Sequence, residues 1–239
     1  MLPPKVIYEQ EEFLGVSKPS GMLVHASGTK HTADKETLVD WLLPRFPELR
    51  QVGDDPATRP GIVHRLDKDT SGVILIPRTQ EYFLYLKSLF AGRQMVKTYL
   101  ALVWGHAPAH GSITLPIGIK SGTTKRTVRG GKMVKEARTD YELVRHLEAT
   151  SLLKVMPRTG RTHQIRVHLA SAGHPVAGDP LYGGKKKEPW VTRLMLHALS
   201  LEFPSASGAR IRIEAEPDAD FNAVVDAAAG PGVVHSSRP

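Results

Sequence analysis

Hydrophobic and polar positions alternate along many short segments of this sequence, which is the pattern of half-buried β-strands. In KVIYEQEEFLGVSKPSG, two such segments flank a Glu-rich turn and predict a hairpin near the start of the chain. In QMVKTYLALVWGH, alternation places Lys97, Tyr99 and Ala101 on one face of a strand. The same pattern predicts further strands in GVILIPRT, GSITLPIG, ARTDYELVRHL, SLLKVMPRT, RLMLHALSLEF and ARIRIEAEP.

Apolar residues three and four positions apart predict short helices between these strands. The first places Leu38, Trp41 and Leu42 on its buried face and ends at one of the two prolines that follow. The second, QEYFLYLKSLFA, begins after Thr79, which can cap it, and ends before Gly92. Its predicted apolar face consists of Phe83, Leu86 and Phe90.

Two more helices are predicted in the second half of the chain. GRTHQIRVHLASAG is expected to be capped by Thr162 and to stop at Gly173, and DFNAVVDAAA forms the last helix. No repeat or low-complexity linker divides the sequence. We therefore predict a single α+β domain over residues 1–228, with a central, mainly antiparallel sheet flanked by short helices and loops. Residues 229–239 are expected to be a disordered tail.

Composition narrows the class of protein. The 239 residues are 41% hydrophobic, enough for a sizeable core, and contain no cysteine. Disulfide scaffolds, thiolate metal sites and cysteine nucleophiles are therefore excluded. The start of the chain has no signal-peptide pattern, and no segment reaches 18 uninterrupted apolar residues. We expect a cytoplasmic monomer that does not enter a membrane.

Positive charge is concentrated in the middle of the chain. The net charge is +8, but residues 1–60 carry 7 basic and 9 acidic side chains, whereas residues 61–198 carry 22 basic and 9 acidic. The segment 120–138, whose Gly and Thr content favours a mobile hairpin or loop, holds seven basic residues against one acidic. This asymmetry is typical of a nucleic-acid-binding surface, although a solvated basic surface would give the same pattern.

Three polar clusters are candidates for chemistry: HRLDKDTSG (64–72), KTY (97–99) and RTGRTHQIRVH (158–168). In the first, the positive charges of Arg65 and Lys68 stabilise the Asp67 carboxylate as a possible nucleophile or base, while Asp69-Thr70-Ser71-Gly72 makes the turn. In the third, Arg161 and Arg166 point about 140° apart on a helix, so one can pair with a carboxylate and the other with phosphate. Taken alone, these patterns favour a structural Asp67 and a basic surface helix.

Other site classes lack support. His163 and His168 do not have the i, i+4 spacing of a helical zinc site, so no metal is expected. His25, His64 and His197 lack the G-x-S-x-G elbow of a hydrolase triad. Neither a P-loop nor a G-x-G-x-x-G motif occurs, so no cofactor is expected.

Five ordered motifs together resemble the RluA-type RNA pseudouridine synthases. They are FLGVSKPSGMLVH (13–25), HRLDKDTSGVILIPRT (64–79), KTYLALVWG (97–105), RTGRTHQIRVHLASAGHPVAGDPLYGG (158–184) and RLMLHALSLEF (193–203). The resemblance implies a pseudouridine-synthase-type catalytic domain. The S4-type RNA-binding domain that precedes it in many members has no room before the first motif, so we expect only the catalytic domain.

The resemblance also implies residue roles. Asp67 is the essential aspartate, Arg166 its ion-pair partner, Tyr99 the residue that stacks on the target base, and Arg65 the side chain that fills the space of the flipped nucleotide. Further candidates for substrate binding are His64, Arg161, Leu196, Lys125 and Arg126. Lys185, Lys186 and Lys187 and the 120–138 segment are candidates for phosphate contacts.

The implied reaction isomerises a uridine in rRNA or in a tRNA stem-loop: the N1–C1′ bond breaks, the uracil turns, and C5 bonds to C1′. Asp67 could attack C1′, add to C6 or remove the 2′ proton, and we expect the Tyr99 hydroxyl to take the C5 proton. A nucleoside glycosidase is disfavoured because Asp67 lacks a second carboxylate at a suitable position. The remaining alternative is an RNA-binding or ribosome-assembly protein without catalysis.

Overall fold

The computed structural model describes residues 2–26, 36–123, 125–184, 188–205 and 207–230. The chain forms two compact units that interleave in sequence. Unit 1 comprises Met1–Tyr99 and Leu196–Glu216, and unit 2 comprises Leu100–Met195 and Pro217–Pro239. The prediction of one catalytic domain over residues 1–228 stays a prediction, as does that of a disordered tail, since residues 231–239 lie outside the described part of the chain.

Strands predominate over helices, as the sequence pattern predicted, and the fold is α+β. The strands are β1 (Lys5–Glu9), β2 (Phe13–Lys18), β3 (Ser71–Pro77), β4 (Val96–Trp104), β5 (His110–Ile113), β6 (Ile117–Ile119), β7 (Arg126–Thr127), β8 (Lys132–Lys135), β9 (Thr139–His146), β10 (Thr150–Pro157), β11 (Leu196–Pro204) and β12 (Arg210–Glu214). The α-helices are α1 (Leu38–Leu42), α2 (Gln80–Ala91), α3 (Gln164–Ser171) and α4 (Ala219–Ala228), and a 3₁₀ helix spans Pro47–Gln51.

The strand pairing of unit 1 is mainly antiparallel. β1 pairs with β2, β2 with β3, and β11 with β12 in this way, while β3 and β11 run parallel. Every residue of β3 is buried, which explains why its sequence reads as a continuous apolar run rather than an alternating one. Around it, Phe13, Leu14 and Phe203 are fully buried and form much of the core. The predicted N-terminal hairpin is confirmed.

Local sequence signals fix the helices of unit 1. α1 begins with a capping box, in which the Thr37 hydroxyl accepts from the Asp40 amide and the Asp40 carboxylate accepts from the Thr37 amide. Thr79 caps α2 through the Tyr82 amide, as predicted. The apolar face of α2 differs by one position from the prediction, because Leu89 is buried and Phe90 is only partly so.

Unit 2 contains two antiparallel sets of strands. β9 pairs with β10 and with β5, and a separate three-stranded sheet has the order β7-β6-β8. The segment 120–138, predicted as a hairpin or loop, therefore contributes two short strands that flank β6 on both sides. Exposed lysines occupy both ends of β8, so the basic character of the segment is retained on its surface.

The prediction that Thr162 caps α3 was wrong. The helix begins at Gln164, and the capping position is His163, which has a left-handed φ of 54° and makes no capping hydrogen bond through its side chain. The Gln164 side chain instead accepts from the Arg161 amide at 3.0 Å and from the Thr159 hydroxyl at 2.6 Å. α4 follows the pattern expected from its sequence, with Asp218 accepting from the Phe221 amide.

None of the helices in the described ranges has both the length and the hydropathy that a bilayer span requires.

Gly72 joins the charged loop 64–72 to the parallel pair β3/β11. Its φ is +112°, and a Cβ atom built there would lie 2.2 Å from the Ala198 carbonyl oxygen. We expect Gly72→Ala to destabilise the protein by more than about 3 kcal/mol, since backbone strain and a clash with backbone atoms add. Urea unfolding measures this change.

The matched control is Gly208→Ala, which lies in the same unit at φ +87° and where an added Cβ atom would meet nothing within 4 Å. Strain alone should cost it about 1 kcal/mol. Equal losses for the two variants would show that the close approach of β3 and β11 contributes nothing.

Candidate active site

Asp67 lies in an irregular loop that leads directly into the buried strand β3. The neighbouring side chains alternate in exposure: Arg65 and Lys68 are exposed, Leu66 is buried in the core, and Asp67 is partly buried. The backbone carbonyl of Asp67 accepts a hydrogen bond from the Thr70 amide at 3.1 Å. The backbone of Asp67 therefore helps to form the turn, while its side chain is partly exposed to solvent.

A buried lysine holds this loop in place. Lys18, at the end of β2, is 0% exposed, and its ammonium group donates to the carbonyl oxygens of Pro19, Met22 and Lys68 at 2.8, 2.9 and 3.0 Å. The Gly21 amide also donates to Lys68 O at 2.9 Å, and the Ser20 hydroxyl donates to Asp69 O at 2.7 Å. Hydrogen bonds from the KPSG turn therefore hold the Asp67 loop in position. This role was not predicted from the sequence.

The far end of the loop is fixed by a buried histidine on β11. His197 Nε2 lies 2.7 Å from the Ala215 carbonyl and must donate, so its Nδ1 accepts from the Ser71 hydroxyl at 2.9 Å. Both side chains are about 1% exposed. Leu196, proposed as part of a pocket wall, is buried at the start of the same strand.

Tyr99 is electrostatically coupled to Asp67. Burial, reinforced by the negative charge of Asp67, raises the pKa of the Tyr99 phenol well above its usual range. The ammonium group of Lys97, two residues away on β4, adds to burial in lowering the pKa of His64. The prediction that Lys97 and Tyr99 face the same way agrees with these interactions, and Tyr99 is a neutral phenol at physiological pH.

The His64 ring is partly buried and contacts other groups of the protein. Its Nε2 accepts a hydrogen bond from the Leu75 amide at 2.9 Å, and its ring packs 4.8 Å from the ring of Phe90. Burial, with a contribution from Lys97, lowers its pKa to about 3, so the ring is neutral. These contacts tie the loop to β3 and α2. A contact between His64 and substrate stays a prediction.

In unit 2, Arg166 on α3 forms a buried, bidentate ion pair with Asp179. Its Nε and one terminal nitrogen donate to the two carboxylate oxygens at 2.7 and 2.8 Å, and Arg166 is 4% exposed. Burial acts to raise the pKa of Asp179, but the Arg166 guanidinium and the Leu181 and Tyr182 amides hold it below its usual range. Asp179 was not predicted as a site residue, because nothing in HPVAGDPLYGG sets it apart from a turn aspartate.

Tyr182 connects the basic sheet β7-β6-β8 to α3. Its hydroxyl accepts from the Arg126 amide at 2.9 Å and bonds to His163 Nδ1 at 3.0 Å. Arg161 adds a second link, since its Nε donates to the Glu136 carbonyl at 3.0 Å. Lys125 is exposed beside them. Arg126 and Arg161 thus have structural contacts in addition to the RNA-binding role predicted for them.

The predicted site residues fall into both units. Unit 1 contains His64, Arg65, Asp67, Tyr99 and Leu196, while unit 2 contains Lys125, Arg126, Arg161 and Arg166. Lys185, Lys186 and Lys187 lie outside the described residues. No group of three His, Asp or Glu side chains in the described part of the chain could hold a metal ion.

Comparison with known proteins identifies the family. Residues 12–171 match the RNA pseudouridylate synthase family. A ribosomal large subunit pseudouridine synthase D of Nitrosomonas europaea is 38% identical over 226 residues, which cover 90% of this chain and 62% of that protein. A protein of the same name in Pseudomonas aeruginosa is 34% identical over 231 residues, covering 91% and 69%. The chain therefore belongs to the RNA pseudouridylate synthase family, as its five motifs indicated.

A solved structure supports the same fold. The human RNA pseudouridylate synthase domain containing 1 superposes with a TM-score of 0.72 at 29% identity, and the match covers 90% of this chain and 84% of that one. The chain spans 62% of the length of the Nitrosomonas relative and 55% of that of the Yersinia pestis protein of the same name.

The neutral His64 makes stability depend on pH. Its folded pKa of about 3 lies below the usual value of 6.5, so its contribution is fully present above pH 6.5 and is lost as the pH falls toward 3. We expect the wild type to lose about 1–2 kcal/mol more than His64→Gln between pH 7 and pH 5. Glutamine is the matched variant because it can accept the Leu75 hydrogen bond without titrating.

Urea unfolding of both proteins at the two pH values measures the difference. Identical losses would mean that folding does not lower the pKa of His64.

Proposed function

We propose that this protein isomerises uridine to pseudouridine in RNA, with Asp67 as the essential catalytic residue. The observation that carries the proposal is the pairing of Asp67 with Tyr99 in unit 1. A carboxylate on a braced loop and a neutral phenol lie close enough for the charge of one to perturb the other. Membership of the RNA pseudouridylate synthase family supports the same reaction.

The reaction needs a carboxylate and a flat face, and no electron donor or acceptor. The N1–C1′ bond breaks, the C5–C1′ bond forms, the C5 proton leaves, and N1 gains a proton. Asp67 initiates the reaction at C1′, at C6 or at the 2′ position. Tyr99 supplies a surface for base stacking, which is worth about 1–3 kcal/mol and offsets part of the few kcal/mol that base flipping costs.

The raised pKa of Tyr99 limits how its hydroxyl can take the C5 proton. A phenolate beside Asp67 is disfavoured, so the phenol oxygen can accept a proton only while it releases its own. The Asp67 carboxylate, regenerated once C5 has bonded to C1′, is an acceptor of appropriate charge, and its charge already acts on the Tyr99 phenol. We therefore assign Tyr99 to relay the proton toward Asp67 rather than to act as a free phenolate.

Two arginines are assigned further roles. Arg166 is assigned as the ion-pair partner of Asp67 by its place in the family motif, and its bidentate bond with Asp179 restrains the guanidinium within unit 2. Arg65 is exposed, as a side chain must be if it fills the space of a flipped nucleotide. The long, charged side chain of Arg65 can also contact phosphate from that position.

The substrate we propose is ribosomal RNA of the large subunit, with a tRNA stem-loop as the alternative. The relatives from Nitrosomonas europaea and Pseudomonas aeruginosa are named as large-subunit rRNA enzymes, which supports the first choice. The exposed lysines of β8, together with Lys125, supply positive charge for phosphate contacts whichever RNA is bound.

Asp67→Asn is the test of the proposed activity. We expect it to abolish pseudouridine formation while RNA affinity stays within about threefold, because only the reacting carboxylate is lost. The measurement is chemical mapping of pseudouridine in rRNA and tRNA incubated with each protein. Asp69→Asn, two residues along the same loop, is the matched control and should retain activity. RNA binding by the wild type without any new pseudouridine would favour a non-catalytic RNA-binding protein.

Tyr99→Phe tests the proton relay. It keeps the aromatic face and removes the hydroxyl, so we expect RNA affinity to be retained and product formation to fall at least tenfold, about 1.4 kcal/mol in the barrier. Tyr99→Ala should lower both affinity and rate. The readouts are single-turnover kinetics and fluorescence anisotropy. A wild-type rate for Tyr99→Phe would remove the relay and leave stacking as the role of Tyr99.

A further inference from the structure

Unit 1 contains a cleft that none of the residues assigned above lines. It has a volume of about 960 Å³ and lies between the end of the first motif, α1, the 3₁₀ helix and the loop 55–60. Its lining combines apolar surface from residues such as Val39, Leu43 and Pro56 with the polar side chains of His25, Arg50 and Arg59. Such a combination suits a ligand with one flat apolar part and one charged part.

The charges of Arg50 and Arg59 are balanced in number by Asp40 and Asp55 in the lining, but the two guanidinium groups are the ones available to a ligand. Within the described ranges, neither Arg50 nor Arg59 makes an ion pair or a side-chain hydrogen bond, and both are exposed. The two acidic side chains in the lining are already engaged. Asp40 accepts from the amide and hydroxyl of Thr37 at 2.9 and 2.8 Å, and Asp55 accepts from the Thr58 hydroxyl. The groups left to meet a ligand are therefore the two guanidinium groups.

His25 is the third polar group of the cleft. Its Nδ1 is buried and has no hydrogen-bond partner among the residues that the structure describes. Burial, with the charges of Arg65 and Arg59, lowers the pKa of His25, so the ring is neutral and offers one donor and one acceptor. Buried polar nitrogens are rarely left unpaired, and a bound ligand would satisfy this one.

The cleft adjoins the Asp67 loop, because the Lys18 ammonium bonds both the Met22 carbonyl, three residues before His25, and the Lys68 carbonyl, next to Asp67. His25 interacts with Arg59 on the cleft side and with Arg65, which is two residues from Asp67. A single strand of RNA whose target base is at Asp67 therefore has its neighbouring nucleotides within reach of the cleft. Free guanidinium groups suit phosphate, and a neutral imidazole suits the edge of a base.

We propose that this cleft binds one nucleotide of the RNA strand adjacent to the target uridine, with Arg50 and Arg59 on its phosphate and His25 at the edge of its base. The proposal rests on the proposed function and adds a specificity site to it. The catalytic residues contact every target uridine in the same way, so recognition of the adjacent nucleotide in the cleft would select one uridine over another.

The experiment pairs a protein change with a change at a single phosphate. RNA binding is measured by fluorescence anisotropy in the Asp67→Asn protein, using a stem-loop that contains the target uridine. Each linkage around that uridine is replaced in turn by a neutral methylphosphonate. The cleft variant is Arg50→Ala with Arg59→Ala, and the matched control is Arg210→Ala with Arg212→Ala, which removes two exposed arginines from β12 of the same unit.

We expect the cleft variant to bind about tenfold more weakly than the control variant and to have a shallower salt dependence. At one linkage, the methylphosphonate should weaken binding to the parent protein but have no further effect on the cleft variant, which is the sign of a direct interaction. Additive effects at every linkage, or equal affinity of cleft and control variants, would overturn the proposal.

Two parallel measurements separate this proposal from the proposed function and from a free ligand. Pseudouridine formation by the wild type is mapped on the same RNA. If the arginine substitutions and one methylphosphonate are coupled but no pseudouridine forms, the nucleotide subsite is supported and the proposed activity is overturned. If pseudouridine forms but the effects are additive at every linkage, only the nucleotide subsite is overturned. Uridine monophosphate is added as a competitor. Half-displacement of the RNA at micromolar concentrations would identify a free nucleotide as the ligand and overturn an RNA subsite.

Discussion

The ammonium group of Lys18, buried without exposure to solvent, is the constraint on which the geometry of unit 1 depends. Burying an unpaired charge would cost many kcal/mol, and hydrogen bonds from Lys18 to three carbonyl oxygens offset that cost. Those carbonyls belong to the KPSG turn and to the Asp67 loop, and Lys18 is also opposite Gly72 in the β2/β3 register. The charge can be buried only when strand, turn and loop all adopt their native positions.

This arrangement explains how a loop rich in charge can be rigid. Burial, with smaller contributions from the cations Lys97 and Arg65, keeps His64 and His25 in their neutral forms. Proton exchange near the proposed site is thereby limited to few groups, chiefly Asp67 and the neutral phenol of Tyr99. His64 looks like a component of a triad in the sequence, but its neutral ring instead accepts the Leu75 amide and packs against Phe90.

The sequence predicted the elements better than their contacts. Strand alternation and capping residues such as Thr79 are local signals, and the structure agrees with them. The Thr162 cap failed because Gln164 satisfies the start of α3 with its own side chain. Phe90 was assigned to the core in place of Leu89, since helical periodicity cannot show that a ring packs against His64.

For the proposed site, the motifs predicted Asp67, Tyr99 and Arg166 but not Lys18 and Asp179, which bond the Asp67 loop and Arg166. Lys18 bonds backbone carbonyl groups, and Asp179 bonds a side chain on a separate element. Neither kind of partner leaves a pattern in the sequence. The cleft was missed for a related reason. Arg50 and Arg59 come from the segment 1–60, whose average charge is slightly negative, and averaging conceals two free arginines among acids that are internally bonded.

The parallel pairing of β3 with β11 has a consequence for when the site can exist. Ser71 and His197 are 126 residues apart, so the loop that carries Asp67 lacks its second anchor until the last strands of unit 1 are made. At ordinary rates of protein synthesis, the ribosome needs roughly 5–20 s to pass from Tyr99 to Leu196. During that interval the edge of β3 that pairs with β11 has no partner strand. A nascent chain therefore acquires the assembled site only near the end of its synthesis.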